Sequence, residues 1–191
     1  PFNSLDYAIG RCTANRGDII MLMPGHVEVV TATSIAMDVA GVAVVGLGEG
    51  DARPTFTYGV ISSNIIISAA NCSMKNIILK AGIDCTAAIT TTSAADGLTL
   101  DIETRDNAAT TEFISALVTV IGCNNLVAIM RHRGFAAGTH GVRYIDLVGC
   151  TDANIELDYF GVASTAVVNM RTTACNNIMV SGRFYNDSAA L

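Results

Sequence analysis

Apolar residues in this chain alternate with small or polar ones in short runs, and the runs return about every 25 residues. The copies read Val39-Ala40-Gly41-Val42-Ala43-Val44-Val45, Asn71-Cys72-Ser73-Met74-Lys75-Asn76-Ile77 and Ala94-Ala95-Asp96-Gly97-Leu98-Thr99-Leu100. They continue as Gly122-Cys123-Asn124-Asn125-Leu126, Gly149-Cys150-Thr151-Asp152-Ala153-Asn154-Ile155 and Ala174-Cys175-Asn176-Asn177-Ile178. With Ala40, Cys72, Ala95, Cys123, Cys150 and Cys175 as equivalent anchors, the spacings are 32, 23, 28, 27 and 25. Alternation with period two inside a repeat of that length predicts an all-β solenoid, each turn burying its inward face against its neighbours. The expectation is one domain of about six rungs over residues 17–191, with a short amphipathic helix in 1–16 as its lid. Asn3 or Ser4 would cap that helix, Asp6 would favour its positive end, and Leu5, Ala8, Ile9 and Cys12 would form its apolar stripe.

Columns follow from the anchors. Five and seven residues after them stand Val45/Leu47, Ile77/Leu79, Leu100/Ile102, Ala128/Met130, Ile155/Leu157 and Val180/Gly182; five before stand Ile35, Ile67, Thr90, Val118, Ile145 and Met170. These are the expected inward positions. Even positions then face out. Eight after the anchors come Lys80, Glu103, Arg131, Asp158 and Arg183, a predicted structural ladder of alternating charge that would fix the register of the rungs. Outward columns also carry Ile78, Val127, Ile129 and Met179, which predicts a face covered by another subunit; Phe184, Tyr185 and Leu191 complete the expected interface. A doubly wound α/β sheet would need helical crossovers, and segments such as 84–92 and 135–142 lack a 3.6-residue apolar period.

Composition narrows the function. The chain is 51% hydrophobic and 15% charged, with a net charge of −6 that argues against a nucleic-acid partner. Its longest apolar run, Val39 to Leu47, is broken by two glycines and is too short to cross a membrane. No signal peptide precedes Pro1, and a first residue of this kind is what trimming of an initiator Met leaves, which predicts a cytosolic start. Cys72, Cys123, Cys150 and Cys175 share the anchor with Ala, the behaviour of small buried thiols serving as core anchors rather than as disulfides. No C-x-x-C pair is present, so neither a zinc site nor any cofactor is expected.

Three motifs invite chemistry. Gly46-Leu47-Gly48-Glu49-Gly50 has the glycines of a phosphate loop but no helix after it, and reads as a turn. His26 and His140 stand beside glycines in expected turns, and the two N-x-S sequons matter only in a secreted eukaryotic protein. Asp101, Glu103 and Asp106, with Arg131, His132 and Arg133 one rung on and Glu156 and Asp158 after that, form the best catalytic candidate. Glu103, Arg131 and Asp158 are already accounted for by the charge ladder.

The segments Gly17-Asp18-Ile19-Ile20-Met21-Leu22-Met23-Pro24-Gly25-His26 and Val44-Val45-Gly46-Leu47-Gly48, with the later Cys-Asn-Asn-Leu and Cys-Asn-Asn-Ile turns, resemble right-handed parallel β-helix proteins of the pectate-lyase-like class. Short acidic versions look most like virion structural proteins of tailed bacteriophages. That resemblance implies a non-enzymatic capsid decoration or cement protein, a homo-oligomer (most plausibly a trimer) bound to the major capsid protein and located in the virion after assembly in the host cytoplasm. Its enzyme branch implies the alternative, a polysaccharide lyase or hydrolase using Asp101, Glu103, Asp106 and Arg131, and a third reading is a carbohydrate-binding tail module using Tyr144, Tyr159, Phe160, Phe184 and Tyr185.

Overall fold

The computed structural model describes residues 2–31, 35–109, 111–119, 122–135, 141–171 and 174–187. A five-residue helix, Leu5–Ile9 (α1), opens the chain. Strands follow at Ile19–Leu22 (β1), Val27–Val30 (β2), Ile35–Met37 (β3), Ala43–Gly46 (β4) and Thr55–Tyr58 (β5). Next come Ile65–Ile67 (β6), Ser73–Ala81 (β7), Ile89–Thr91 (β8), Thr99–Arg105 (β9) and Leu117–Thr119 (β10). The last are Val127–Arg133 (β11), Arg143–Leu147 (β12), Thr151–Gly161 (β13), Ala166–Met170 (β14) and Asn176–Asn186 (β15).

Every pairing between these strands is parallel. A nine-stranded sheet runs β1-β4-β7-β9-β11-β13-β15, with β2 and β5 joining beside β7, and a six-stranded sheet runs β14-β12-β10-β8-β6-β3. Each turn of the chain adds one rung to both sheets, so the expected solenoid of about six turns is the fold.

A column of left-handed residues runs through the turns. Asn15, Gly41, Asn71, Gly97, Asn125, Asp152 and Asn177 all have φ between 54° and 76°. Asn and Asp tolerate that conformation because their short side chains bond locally, and glycine has no Cβ to clash. The turns stack through the backbone: the amides of Asn15, Gly41, Asn71, Gly97 and Asn125 donate to the carbonyls of Ala40, Ala70, Asp96, Asn124 and Thr151 at 2.7–2.9 Å. Side chains extend the stack, with Asp96 accepting from the Asn124 amide at 2.8 Å and Asn124 from the Thr151 amide at 3.2 Å.

This column corrects the anchor. Cys123, Cys150 and Cys175 stand two residues before their left-handed residue, whereas Cys72 stands one after its own, in line with Val42, Leu98, Leu126 and Ala153. Cys72 is a buried core residue in a different column. Turn length varies between repeats, so one cysteine frame cannot hold throughout. For the same reason Thr90 and Val118 face outward and are half-buried, and the inward column of the small sheet is Ile35, Ile65, Ile89, Leu117, Ile145 and Val168.

The charge ladder holds in register from Glu103 through Arg131 and Asp158 to Arg183. Lys80 is the exception. A bulge between Lys75 and Ile77 places left-handed Asn76 (φ 57°) out of the pairing, so Lys80 stands opposite Arg105 and buried Ile78 opposite Glu103. The displaced Asn76 side chain donates to the carbonyls of Gly46 and Gly48 at 2.9 and 3.0 Å, bracing the loop after β4.

The lid is shorter than the 1–16 segment and works as expected. The Ser4 hydroxyl accepts from the Tyr7 amide at 3.3 Å, and Leu5, Ala8 and Ile9 are buried. Asp6 accepts from the Ala36 amide at 2.9 Å, which ties α1 to β3.

Candidate functional site

The glycine segment after β4 is a turn, ending in a 3-10 stretch at Gly50–Ala52. It carries Asp51 and Arg53 onto the outer face of the long sheet. There Arg53 meets Glu103 at 2.7 Å, Arg105 meets Glu103 and Asp51, and Arg133 meets Glu103 at 3.1 Å. These side chains, with Asp106, Gly134 and Phe135, line an open cleft of about 550 Å³.

Glu103 is thus the centre of three guanidiniums, with a side chain only 3% exposed. Burial pushes its carboxyl up, but hydrogen bonds and charge from Arg53 and Arg105 outweigh that, leaving it below its ordinary value. A general acid must hold a proton at working pH, and a nucleophile must present a free oxygen. Glu103 offers neither. Asp101 pairs with Arg131 at 3.0 Å at the half-exposed surface, so Arg131 turns to its diagonal neighbour. Asp106 accepts from the Phe113 amide at 3.3 Å and faces His132. The predicted catalytic trio is therefore split among three environments.

Inside the coil, Thr104, His132 and Tyr159 occupy one inward row. The Thr104 hydroxyl lies 2.9 Å from His132 Nδ1 and 2.7 Å from the Tyr144 hydroxyl, while His132 Nε2 lies 3.3 Å from Asp106. The His132 ring stacks on Tyr159 with centroids 5.0 Å apart. The constellation has the residue types of a nucleophile–base–acid triad, but Thr104 is fully buried, so it serves as a satisfied polar layer in the core. Burial pushes the Tyr144 and Tyr159 hydroxyls well above their ordinary values. Among the described residues no group of three His, Cys, Asp or Glu side chains is placed to hold a metal ion.

The expected interface residues separate into two kinds. Val127, Met179 and Tyr185 are exposed on the outer face, and Ile129 is half-buried there. Phe184 belongs instead to the inward row of Tyr159, His132 and Thr104, and is 48% exposed, with no strand paired over it among the described residues. Leu191 and His140 lie outside the described residues. His26 is half-buried, 3.4 Å from Glu28 and beside Phe56.

Arg53 and Arg105 were not singled out by the repeat pattern. The one available signal was the 30-residue step from Gly41 to Asn71, longer than its neighbours, which marks an insertion into that turn. No family model, no curated protein and no solved structure matches this chain. No helix among the described residues is long and apolar enough to cross a membrane.

Proposed function

We propose that this protein is a non-enzymatic structural component that acts by assembling with copies of itself. Following its sequence resemblance, we place it among decoration or cement proteins on the capsid of a tailed phage, a homo-oligomer (a trimer on that analogy) bound to the major capsid protein. The observation that carries this is the outer face of the long sheet. Ile19, Met21, Val27, Val29, Val127, Phe160, Met179 and Tyr185 are all exposed there, a set of large apolar side chains on one face of the kind that marks an interaction surface. The carboxylates of the charged cleft, each committed to a partner, are consistent with a role without acid–base chemistry. Sedimentation at micromolar concentration is expected to give a stable oligomer, and a persistent monomer sinks the proposal.

One arrangement favours a second reading, a glycan-binding tail module. Arg133, Phe160 and Tyr185 follow one another on a single outward row, and the two rings stack at 5.0 Å. Calorimetry with polygalacturonate tests it: binding lost in Arg133→Ala favours this reading, and no heat of binding removes it.

A further inference from the structure

Glu103 gathers three guanidiniums and occupies each at one edge only. Its Oε1 accepts from Arg105 Nε and from Arg133 Nε, and its Oε2 accepts from Arg53 Nη2. Arg53 Nε donates to the Gly50 carbonyl and Arg105 Nη1 to Asp51 Oδ1. A guanidinium carries five N–H donors in a fixed fork, so these bonds do not exhaust it. Arg53 Nη1, Arg105 Nη2 and both terminal nitrogens of Arg133 have no hydrogen-bond partner among the described residues. All three side chains line the open cleft of about 550 Å³, and that of Arg133 is 68% exposed.

We infer that this cleft binds a phosphate monoester, its phosphoryl oxygens held by Arg53, Arg105 and Arg133. The inference goes beyond the self-assembly reading and does not depend on it. Three observations point to that ligand chemistry. The first is the number and origin of the donors. A planar carboxylate is served by one fork, whereas donors converging from three side chains suit the three terminal oxygens of a tetrahedral group.

The second is Asp51. Its carboxylate sits on Arg105 at 2.7 Å with a side chain 88% exposed, so an oxyanion already occupies this edge of the cluster through a contact that water screens. Asp106 does not compete, because it is turned inward to the Phe113 amide and His132. Displacing Asp51 leaves three guanidiniums against Glu103 alone, an excess of two positive charges in contact with the ligand. A phosphate monoester near neutral pH carries close to that charge, and a sulfate ester or carboxylate carries half of it. The third is Phe135, which lines the same cleft and is 42% exposed, an apolar surface for the alcohol half of an ester.

The test is calorimetry of the 191-residue chain at low ionic strength with phenyl phosphate, inorganic phosphate, phenyl sulfate and benzoate. The net charge of −6 opposes diffuse binding of anions, so saturation at one site is informative. Phenyl phosphate is expected to bind tightest of the four. Arg133→Ala removes two of the four donor nitrogens and should weaken it at least about 10-fold. Asp51→Asn removes the competing carboxylate and should tighten it about three-fold, a gain that a misfolded variant cannot produce. Arg183→Ala deletes an equal charge on β15, away from the cleft, and should leave the affinity within about two-fold. Absence of saturable binding in the millimolar range, equal affinity for phenyl sulfate or benzoate, or an Arg133→Ala protein that binds like the wild type overturns the inference. Heat with polygalacturonate and none with phenyl phosphate also overturns it, and leaves the glycan reading standing.

Discussion

The first and last described turns of the solenoid are made of the same columns and are covered differently. At the first turn α1 lays buried Leu5, Ala8 and Ile9 over the core, and Ile35 and Met37 beneath are 3% and 1% exposed. At the last described turn the equivalent Val168 is only half-buried and Met170 is exposed. Side-chain type therefore does not decide burial in a solenoid; what lies on the next level does. The sharpest way to break the comparison is to weaken the lid. Ile9→Ala is expected to cost about 3 kcal/mol, the usual range for a buried aliphatic truncation, read as a lowered urea midpoint at unchanged slope. A loss below about 1 kcal/mol would mean that the lid is dispensable.

A matched pair sharpens the contrast. Val44 and Val180 lie in one inward column, connected through Met74, Leu100, Ala128 and Ile155. Val44 is fully buried and Val180 half-buried. Val44→Ala should cost about 2 kcal/mol through lost burial and a residual cavity. Val180→Ala should cost under about 1 kcal/mol where the chain is monomeric, since solvent already reaches that side chain. Equal costs at high dilution would contradict the difference in burial between the two positions.

The middle of the molecule shows what the sequence made legible. Period-two alternation and a 25-residue return revealed the solenoid, its parallel rungs and its lid, because each turn must present the same inward positions to its neighbours. The anchor was harder. Cysteine marks the column at Cys123, Cys150 and Cys175, but the physical constant is the left-handed residue beside it, which Asn, Asp and Gly share. The Asn76 bulge and the cleft built on Arg53 were hidden for a different reason: both depend on an insertion whose path no local pattern encodes. The left-handed column gives the next prediction. Asn125→Ala should cost about 1 kcal/mol, because a Cβ without the compensating amide is strained at φ 56°, and Asn125→Gly should recover most of it. Asn177→Ala, in the last described turn, should show its effect mainly as faster local amide exchange. An Asn125→Ala protein as stable as the wild type would remove the stacked turns from the list of determinants.

The smallest expected effect separates the two ends of the charge ladder. Arg183 meets Asp158 at 2.6 Å with side chains 84% and 46% exposed, whereas Glu103 is nearly buried among Arg53, Arg105 and Arg133. An exposed pair gains little because water and salt screen it and both side chains lose freedom, so Arg183→Ala should change stability by less than about 0.5 kcal/mol. Glu103 behaves differently under acid. Its carboxyl lies below the ordinary 4.5, so the folded state binds that proton more weakly than the unfolded one. The stability it contributes is complete above that ordinary value and is lost as pH falls through the lowered one. Comparing acid unfolding of the wild type, Glu103→Gln and Arg183→Ala reads the difference directly. Glu103→Gln should flatten the acid limb and Arg183→Ala should leave it almost unchanged. The opposite ranking would mean that the exposed rungs, rather than the buried arginine cluster, hold the ladder in register.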